Sequence, residues 1–418
     1  MKKNKLHKVV LCLSMITPFS MPVFADDSYS LEQVVVVSRH GLRAPLATGD
    51  SALARATSHV WPSWDTPGSY LTTRGGVLES YFGKYFADWL DETNLVKKNI
   101  CPSGKDVYIY TNSMQRTIAT GQYFAIGAYP GCDLAVNHQQ KFNTMDPIFN
   151  PVINDGSESF QQKALVAMNA RAGKNGIAGL NNYLRPSYKL AESIVDYKNS
   201  YNCKVDSNCD LSKESTALSA KINQEPGVSG PLRTGTIISD ALILQLYEGF
   251  PMEQVGWGKI KNDEDWKKLV AIKDWYTDVL FSAPTVAKHI SMPLVRYING
   301  IMGDKNSAKF NLLVGHDSNI ASLLSALDIK DYKLPGQYEK TPIGGKIIFQ
   351  RWMDNKSKKQ LMKVEYVYQT TDQIRHMSAL SKENPPQRVT LEMNGCPVNS
   401  NGFCDFSDFE KITKALIN

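Results

Sequence analysis

Three short apolar runs, each breaking into a polar turn, constrain this 418-residue chain more than any other feature. Val34-Val35-Val36-Val37 leads into Ser38-Arg39-His40-Gly41-Leu42-Arg43-Ala44-Pro45. Val107-Tyr108-Ile109-Tyr110 leads into Thr111-Asn112-Ser113-Met114-Gln115-Arg116, and Leu312-Leu313-Val314-Gly315 into His316-Asp317-Ser318-Asn319. Runs this short, β-branched or aromatic and without alternation, read as strands buried on both faces, as in a sheet covered by helices. Ile320, Leu323, Leu324 and Leu327 then repeat at helical spacing after the third turn. Thr72-Thr73 can cap another helix, whose apolar positions include Leu78, Phe82, Tyr85, Phe86 and Trp89. Residues 151–229 are polar, rich in Asn, Ser and Gly, and read as a partly helical insertion. The expected architecture is an α/β open-sheet core (roughly 26–48, 105–150 and 230–418) with an inserted, mainly helical lobe (roughly 49–104 and 151–229).

The N-terminus has a separate logic. Lys2, Lys3, Lys5 and Lys8 precede a mostly apolar stretch from Val9 to Phe24, and Val23-Phe24-Ala25 sets small residues before Asp26. This is the pattern of a cleaved secretory leader over residues 1–25. Its loss changes the charge balance from +6 to 43 bases against 41 acids. A chain so nearly neutral offers no basic field for nucleic acid, and no later stretch reaches membrane-spanning length. The six remaining cysteines suit an oxidising compartment. Six cysteines allow fifteen pairings. They fall in three neighbourhoods, which favours Cys101–Cys132, Cys203–Cys209 and Cys396–Cys404. No C-x-x-C motif is present, which disfavours a thiol redox centre or a zinc ribbon. His59, His138, His289 and His376 have no metal-ligand spacing.

In an open α/β sheet, ligands bind at the carboxyl ends of strands. If the three turns converge there, one crevice receives Arg39, His40, Arg43, Arg116, His316 and Asp317. Three guanidiniums repel one another and none can shed its proton, so the cluster asks for an anion. A phosphate dianion fits the planar fork of arginine. His40 among those charges stays neutral and nucleophilic, and Asp317 is placed to protonate a leaving oxygen.

Arg39-His40-Gly41-x-Arg43-x-Pro45 with a distant His316-Asp317 resembles the signature of the histidine acid phosphatases. The similarity extends through Leu71-Thr72-Thr73-Arg74-Gly75, Trp61-Pro62-x-Trp64-Asp65, Glu225-Pro226-Gly227-Val228-Ser229-Gly230-Pro231, Tyr247-Glu248-Gly249-Phe250-Pro251 and Thr341-Pro342-Ile343-Gly344-Gly345-Lys346. The cysteine neighbourhoods resemble those of the family's bacterial periplasmic members. The resemblance implies the histidine phosphatase fold, which is also that of the phosphoglycerate mutases, and a phosphomonoesterase without metal or other cofactor. It makes His40 the nucleophile, Asp317 the proton donor, and Arg39, Arg43, Arg116 and His316 the phosphate clamp. It also sets Glu225 beside the substrate. The implied partner is a small phosphorylated substrate, glucose 1-phosphate or an inositol phosphate. A phytase, a broad acid phosphatase and a periplasmic phosphoester-binding protein remain as alternatives, and nothing in the sequence speaks to oligomeric state.

Overall fold

The computed structural model describes residues 28–139, 141–206 and 209–417; the leader lies outside the described residues. The strands are β1 (Tyr29–Arg39), β2 (Val107–Thr111), β3 (Val136–Asn137), β4 (Leu218–Ser219), β5 (Gly227–Val228), β6 (Phe310–Gly315), β7 (Lys346–Asp354), β8 (Gln360–Tyr368), β9 (Gln387–Thr390) and β10 (Cys404–Asp405). Helices α1 (Ala52–Arg55), α2 (Thr73–Glu92), α3 (Gln115–Ala128), α4 (Glu158–Arg171), α5 (Gly176–Tyr183), α6 (Arg185–Val195) and α7 (Tyr201–Asp206) occupy the first half of the chain. The second half holds α8 (Pro231–Glu248), α9 (Asp263–Phe281), α10 (Pro284–Gly303), α11 (Asp317–Ala326), α12 (Thr371–Arg375) and α13 (Phe406–Ile417).

The main sheet runs β10-β8-β7-β1-β6-β2-β3, with β9 added beside β8. β1, β6, β2 and β3 are parallel, whereas β7 runs antiparallel to both its neighbours, β1 and β8. The three apolar runs are therefore neighbours, and their carboxyl ends share one edge. Successive strand side chains point to opposite faces. Val34, Val36, Leu312, Val314 and Ile348 accordingly meet Phe82, Phe86, Phe124 and Leu90 of α2 and α3 on one face. Val35, Val37, Leu313, Ile347 and Phe349 meet Leu294, Ile298, Ile320, Leu323 and Phe409 of α10, α11 and α13 on the other. Both faces being covered explains why these strands read as unbroken apolar runs.

A further core fills the lobe, where Ala164, Met168, Leu184, Tyr188 and Ile194 of α4 to α6 join Leu242, Leu244, Leu269 and Ile272 of α8 and α9. The expected boundaries shift in two places. α2, assigned to the lobe, instead covers the sheet, because Phe82, Phe86 and Leu90 form a stripe matching Val34 and Val36. α8 and most of α9, assigned to the core, carry their apolar residues into the lobe. Thr72 caps α2, its hydroxyl accepting from Gly75 N at 3.0 Å. The disulfides join Cys101 to Cys132, Cys203 to Cys209 and Cys396 to Cys404. Among the described residues no helix is long and apolar enough to cross a membrane.

Candidate active site

The strand ends bring the named turns together. β1 is held on both sides to its last residue, Arg39 N donating to Gly345 O at 2.9 Å and His40 N to Gly315 O at 3.0 Å. His40 is buried, and its ring centroid lies 5.5 Å from that of His316. Beneath this turn, Lys346 Nζ donates to Ser38 Oγ and Glu79 Oε2 at 2.9 Å each and to Gly344 O at 3.1 Å. This fully buried pair is satisfied by hydrogen bonds, which a buried charge requires. A Cβ on Gly41 would sit 3.0 Å from both Glu79 Cγ and Leu71 Cδ1, so tight packing below the turn favours glycine there.

His40 Nδ1 lies 2.8 Å from Gly41 O. A carbonyl only accepts, so Nδ1 carries the proton and the lone pair resides on Nε2. Burial, followed by the charges of Arg116, Arg39, His316 and Arg43, holds the His40 pKa well below the usual imidazole value. The ring is therefore neutral through the mildly acidic range.

The cations are already balanced by carboxylates. Arg39 is buried and approaches Asp317 Oδ2 at 3.4 Å and Glu339 Oε1 at 3.2 Å, while also donating to Thr341 O. Arg43 Nη2 pairs with Asp240 Oδ2 at 2.7 Å. Lys273 Nζ reaches Glu339, then Asp240 at 3.7 Å and Asp317 at 3.9 Å. Arg116 pairs with no carboxylate among the described residues; burial and then Arg43 lower its pKa to about 10. Its Nε, like that of Arg39, is buried without an acceptor among the described residues. Unpaired buried donors of this kind are costly, and an anion would satisfy them.

Asp317 begins α11, where its carboxylate faces the helix N-terminus and accepts from Ser318 N at 3.0 Å. Burial pushes its pKa up, but Arg39, Lys273, His316 and Arg43 outweigh that and hold it below the usual carboxylate range. Glu225 follows the Ile153–Gln224 bridge. Its side chain is exposed, yet the cleft walls around it and then Asp317 raise its pKa, opposed by Arg233 and Arg116. Arg39, His40, Arg43, Arg116, His316 and Asp317 are thus gathered at the strand ends, whereas Glu225 is linked to them only by the charges of Asp317 and Arg116.

Sequence reasoning missed Asp240, Lys273, Glu339 and Asn112. Asp240 and Lys273 had a detectable signal, each being a charge with apolar residues three or four positions away on its helix, Ile237, Ile243 and Leu244 for the first and Leu269 and Val270 for the second. Glu339 lies in a loop with no local pattern to mark it. Among the described residues no group of His, Cys, Asp and Glu side chains is arranged to hold a metal ion.

A buried neutral histidine between clustered arginines at the carboxyl edge of a parallel sheet defines a phosphoryl-transfer site. Residues 30–369 match the histidine phosphatase superfamily (branch 2), and the chain belongs to that family as a phosphoric monoester hydrolase. It is 49% identical over 414 residues to a glucose-1-phosphatase of Salmonella typhimurium, covering 99% of this chain and 98% of the relative. A glucose-1-phosphatase of Providencia rettgeri is 46% identical, with 99% of each chain covered. The crystal structure of a Hafnia alvei phytase with tartrate superposes with a TM-score of 0.85 at 31% identity, over 94% of this chain and 98% of that one.

Proposed function

We propose that the protein is an exported, periplasmic acid phosphatase that hydrolyses glucose 1-phosphate through a phosphohistidine at His40. The observation that carries this reading is the His40 tautomer: Nδ1–H is tied to Gly41 O, which leaves a bare Nε2 among Arg39, Arg43 and Arg116. Nε2 attacks phosphorus while the bond from phosphorus to the glucosyl oxygen breaks. Asp317 gives its proton to that oxygen, and glucose leaves. Water then attacks phosphorus, Asp317 takes a proton from it, the P–N bond breaks, and phosphate departs from a neutral His40. The arginines and His316 balance the charge on the equatorial oxygens throughout.

Asp317 must hold a proton for the first step, although its neighbours favour the carboxylate in the free enzyme. A phosphate dianion reverses that field, since it occupies the same arginines and repels the carboxylate. Acidic pH thus favours the productive complex. The higher identity to proteins named glucose-1-phosphatase than to the phytase supports the sugar phosphate as substrate, with Glu225 accepting from a sugar hydroxyl.

The test is an initial-rate comparison of the purified mature protein on glucose 1-phosphate, glucose 6-phosphate, phytate and p-nitrophenyl phosphate, from about pH 4 to 7 with EDTA present. A kcat/KM preference for glucose 1-phosphate is expected. A preference for phytate would overturn the substrate, turnover abolished by EDTA would overturn the metal-free mechanism, and no turnover at all would overturn the enzyme reading.

A further inference from the structure

We infer that Asn112 is a positioning residue that fixes the His316 tautomer, so that His316 Nδ1–H and Arg116 donate together to one phosphoryl oxygen. Asn112 is the first residue after β2 and is fully buried. Its backbone is saturated: N donates to Val314 O at 2.9 Å, and the carbonyl accepts from Thr111 Oγ1 at 2.9 Å and Thr117 Oγ1 at 2.6 Å. Its side-chain amide cannot be turned over. Oδ1 accepts from two backbone groups, Ser113 N and Asp146 N, each at 2.8 Å. Only an oxygen can accept two N–H donors, so the other amide atom is nitrogen.

That nitrogen lies 2.6 Å from His316 Nε2 and 3.2 Å from Met145 Sδ. An amide N–H only donates, so Nε2 must accept, and a neutral imidazole then carries its one proton on Nδ1. Either the opposite tautomer or the imidazolium would aim two N–H groups at each other across 2.6 Å. The charges around the ring favour its neutral form. Arg116 from α3 and Arg43 and Arg39 from the β1 end oppose a charge on His316, burial opposes it more, and only Asp317 favours it; together they bring the His316 pKa to about 3.

Nδ1 in turn lies 3.3 Å from Arg116 Nη2. A neutral imidazole accepts at one nitrogen only, and the shorter contact, from an amide whose orientation two backbone donors fix, decides for Nε2. Arg116 Nη2 and Nδ1–H are then two donors side by side, which one phosphoryl oxygen with two lone pairs can serve. His316 thereby donates to phosphate as a neutral ring, at a strength that pH does not change across the working range. This deepens the phosphatase reading and rests on it for the identity of the ligand. The tautomer itself is a property of the ligand-free protein.

The experiment has two parts. Ring-nitrogen NMR of isotopically labelled histidine in the native, ligand-free enzyme at about pH 5 to 7 is expected to show His316 protonated at Nδ1 and bare at Nε2. A proton at Nε2 would overturn the proposal. Asn112→Asp keeps one oxygen for the two backbone donors and turns an acceptor toward Nε2. His316 then takes its proton at Nε2, and keeps Nδ1–H only as the imidazolium. Competitive inhibition by inorganic phosphate should weaken in this variant relative to native by about tenfold or more as pH rises through the new His316 titration. A variant-to-native ratio that stays flat with pH would refute the role of Asn112. Failure of the native enzyme to turn over any phosphomonoester would instead refute the phosphatase reading, and would leave the NMR result standing.

Discussion

Asp317→Asn separates the chemical role of this carboxyl from its electrostatic one. The side chain keeps its shape, but it can no longer donate a carboxylic proton, and one negative charge disappears near Arg39 (3.4 Å) and Lys273 (3.9 Å). Opposite charges about 4 Å apart near a protein surface interact by about 4 kcal/mol. The Asp317 side chain is 31% exposed. Solvent screening reduces the freed attraction for an anion to about 1–2 kcal/mol, which should tighten inorganic phosphate about 5- to 30-fold. The chemical loss depends on the leaving group. A glucosyl oxygen needs a proton as it departs, whereas p-nitrophenolate is stable without one. General acid catalysis is worth about 10²–10⁴-fold. The assay is kcat/KM for both substrates, since it reports only the steps through phosphorylation of His40, before any role of Asp317 in hydrolysis. The electrostatic gain acts on both substrates alike and cancels in their ratio. That ratio should move by about 10²–10⁴ against glucose 1-phosphate. Equal losses would refute Asp317 as the acid, and weaker phosphate inhibition would refute the field argument.

Other expectations follow from the same geometry. His40→Ala should lower turnover by about 10³-fold or more while leaving thermal stability near native, and acid-quenched native enzyme should retain labelled phosphate that the variant does not. Glu225→Gln should reduce kcat/KM for glucose 1-phosphate about tenfold and leave p-nitrophenyl phosphate nearly unchanged, as a contact to the sugar alone would. Glu365 is buried, but Arg388 at 2.5 Å and Gln350 at 2.6 Å help bring its pKa down from 4.5 to about 2. A depressed carboxyl stabilises the fold above its unfolded pKa, and that contribution disappears as pH falls through the folded one. Calorimetry should therefore show about 3 kcal/mol lost between about pH 4.5 and 2, with Glu365→Gln less stable near neutrality and flatter over this window.

The site was more legible in the sequence than the domain layout. Val34–Val37 and Leu312–Val314 announce buried strands because both faces of each are covered, and the polar turns after them meet at neighbouring strand ends. Thr72 was legible as a cap because capping is local. What was hidden depends on long-range placement. Nothing around Phe82 and Phe86 says that their stripe meets the sheet rather than the lobe, because a helix encodes an apolar face and not its partner. Glu339 became significant only when its loop met Arg39 across 300 residues. The function of Asn112 was equally invisible, since it arises from the meeting of two strand ends.

The apolar interior is divided between the two faces of the sheet and the lobe around α4 to α9. The groups proposed to handle phosphate, His40, Arg39, Arg116, His316 and Asp317, stand at or just after the carboxyl ends of β1, β2 and β6, while Glu225 stands between β4 and β5 on the lobe side. Changes to Glu225 and its loop therefore need not disturb the strand ends. The consequence is a division of labour open to grafting. A chimera that keeps the β1, β2 and β6 turns and receives the lobe of a phytase relative should retain the phosphohistidine chemistry and exchange what it recognises beyond the phosphate. Divergence within such a family can proceed by renovating one wall of a cleft whose floor stays in place.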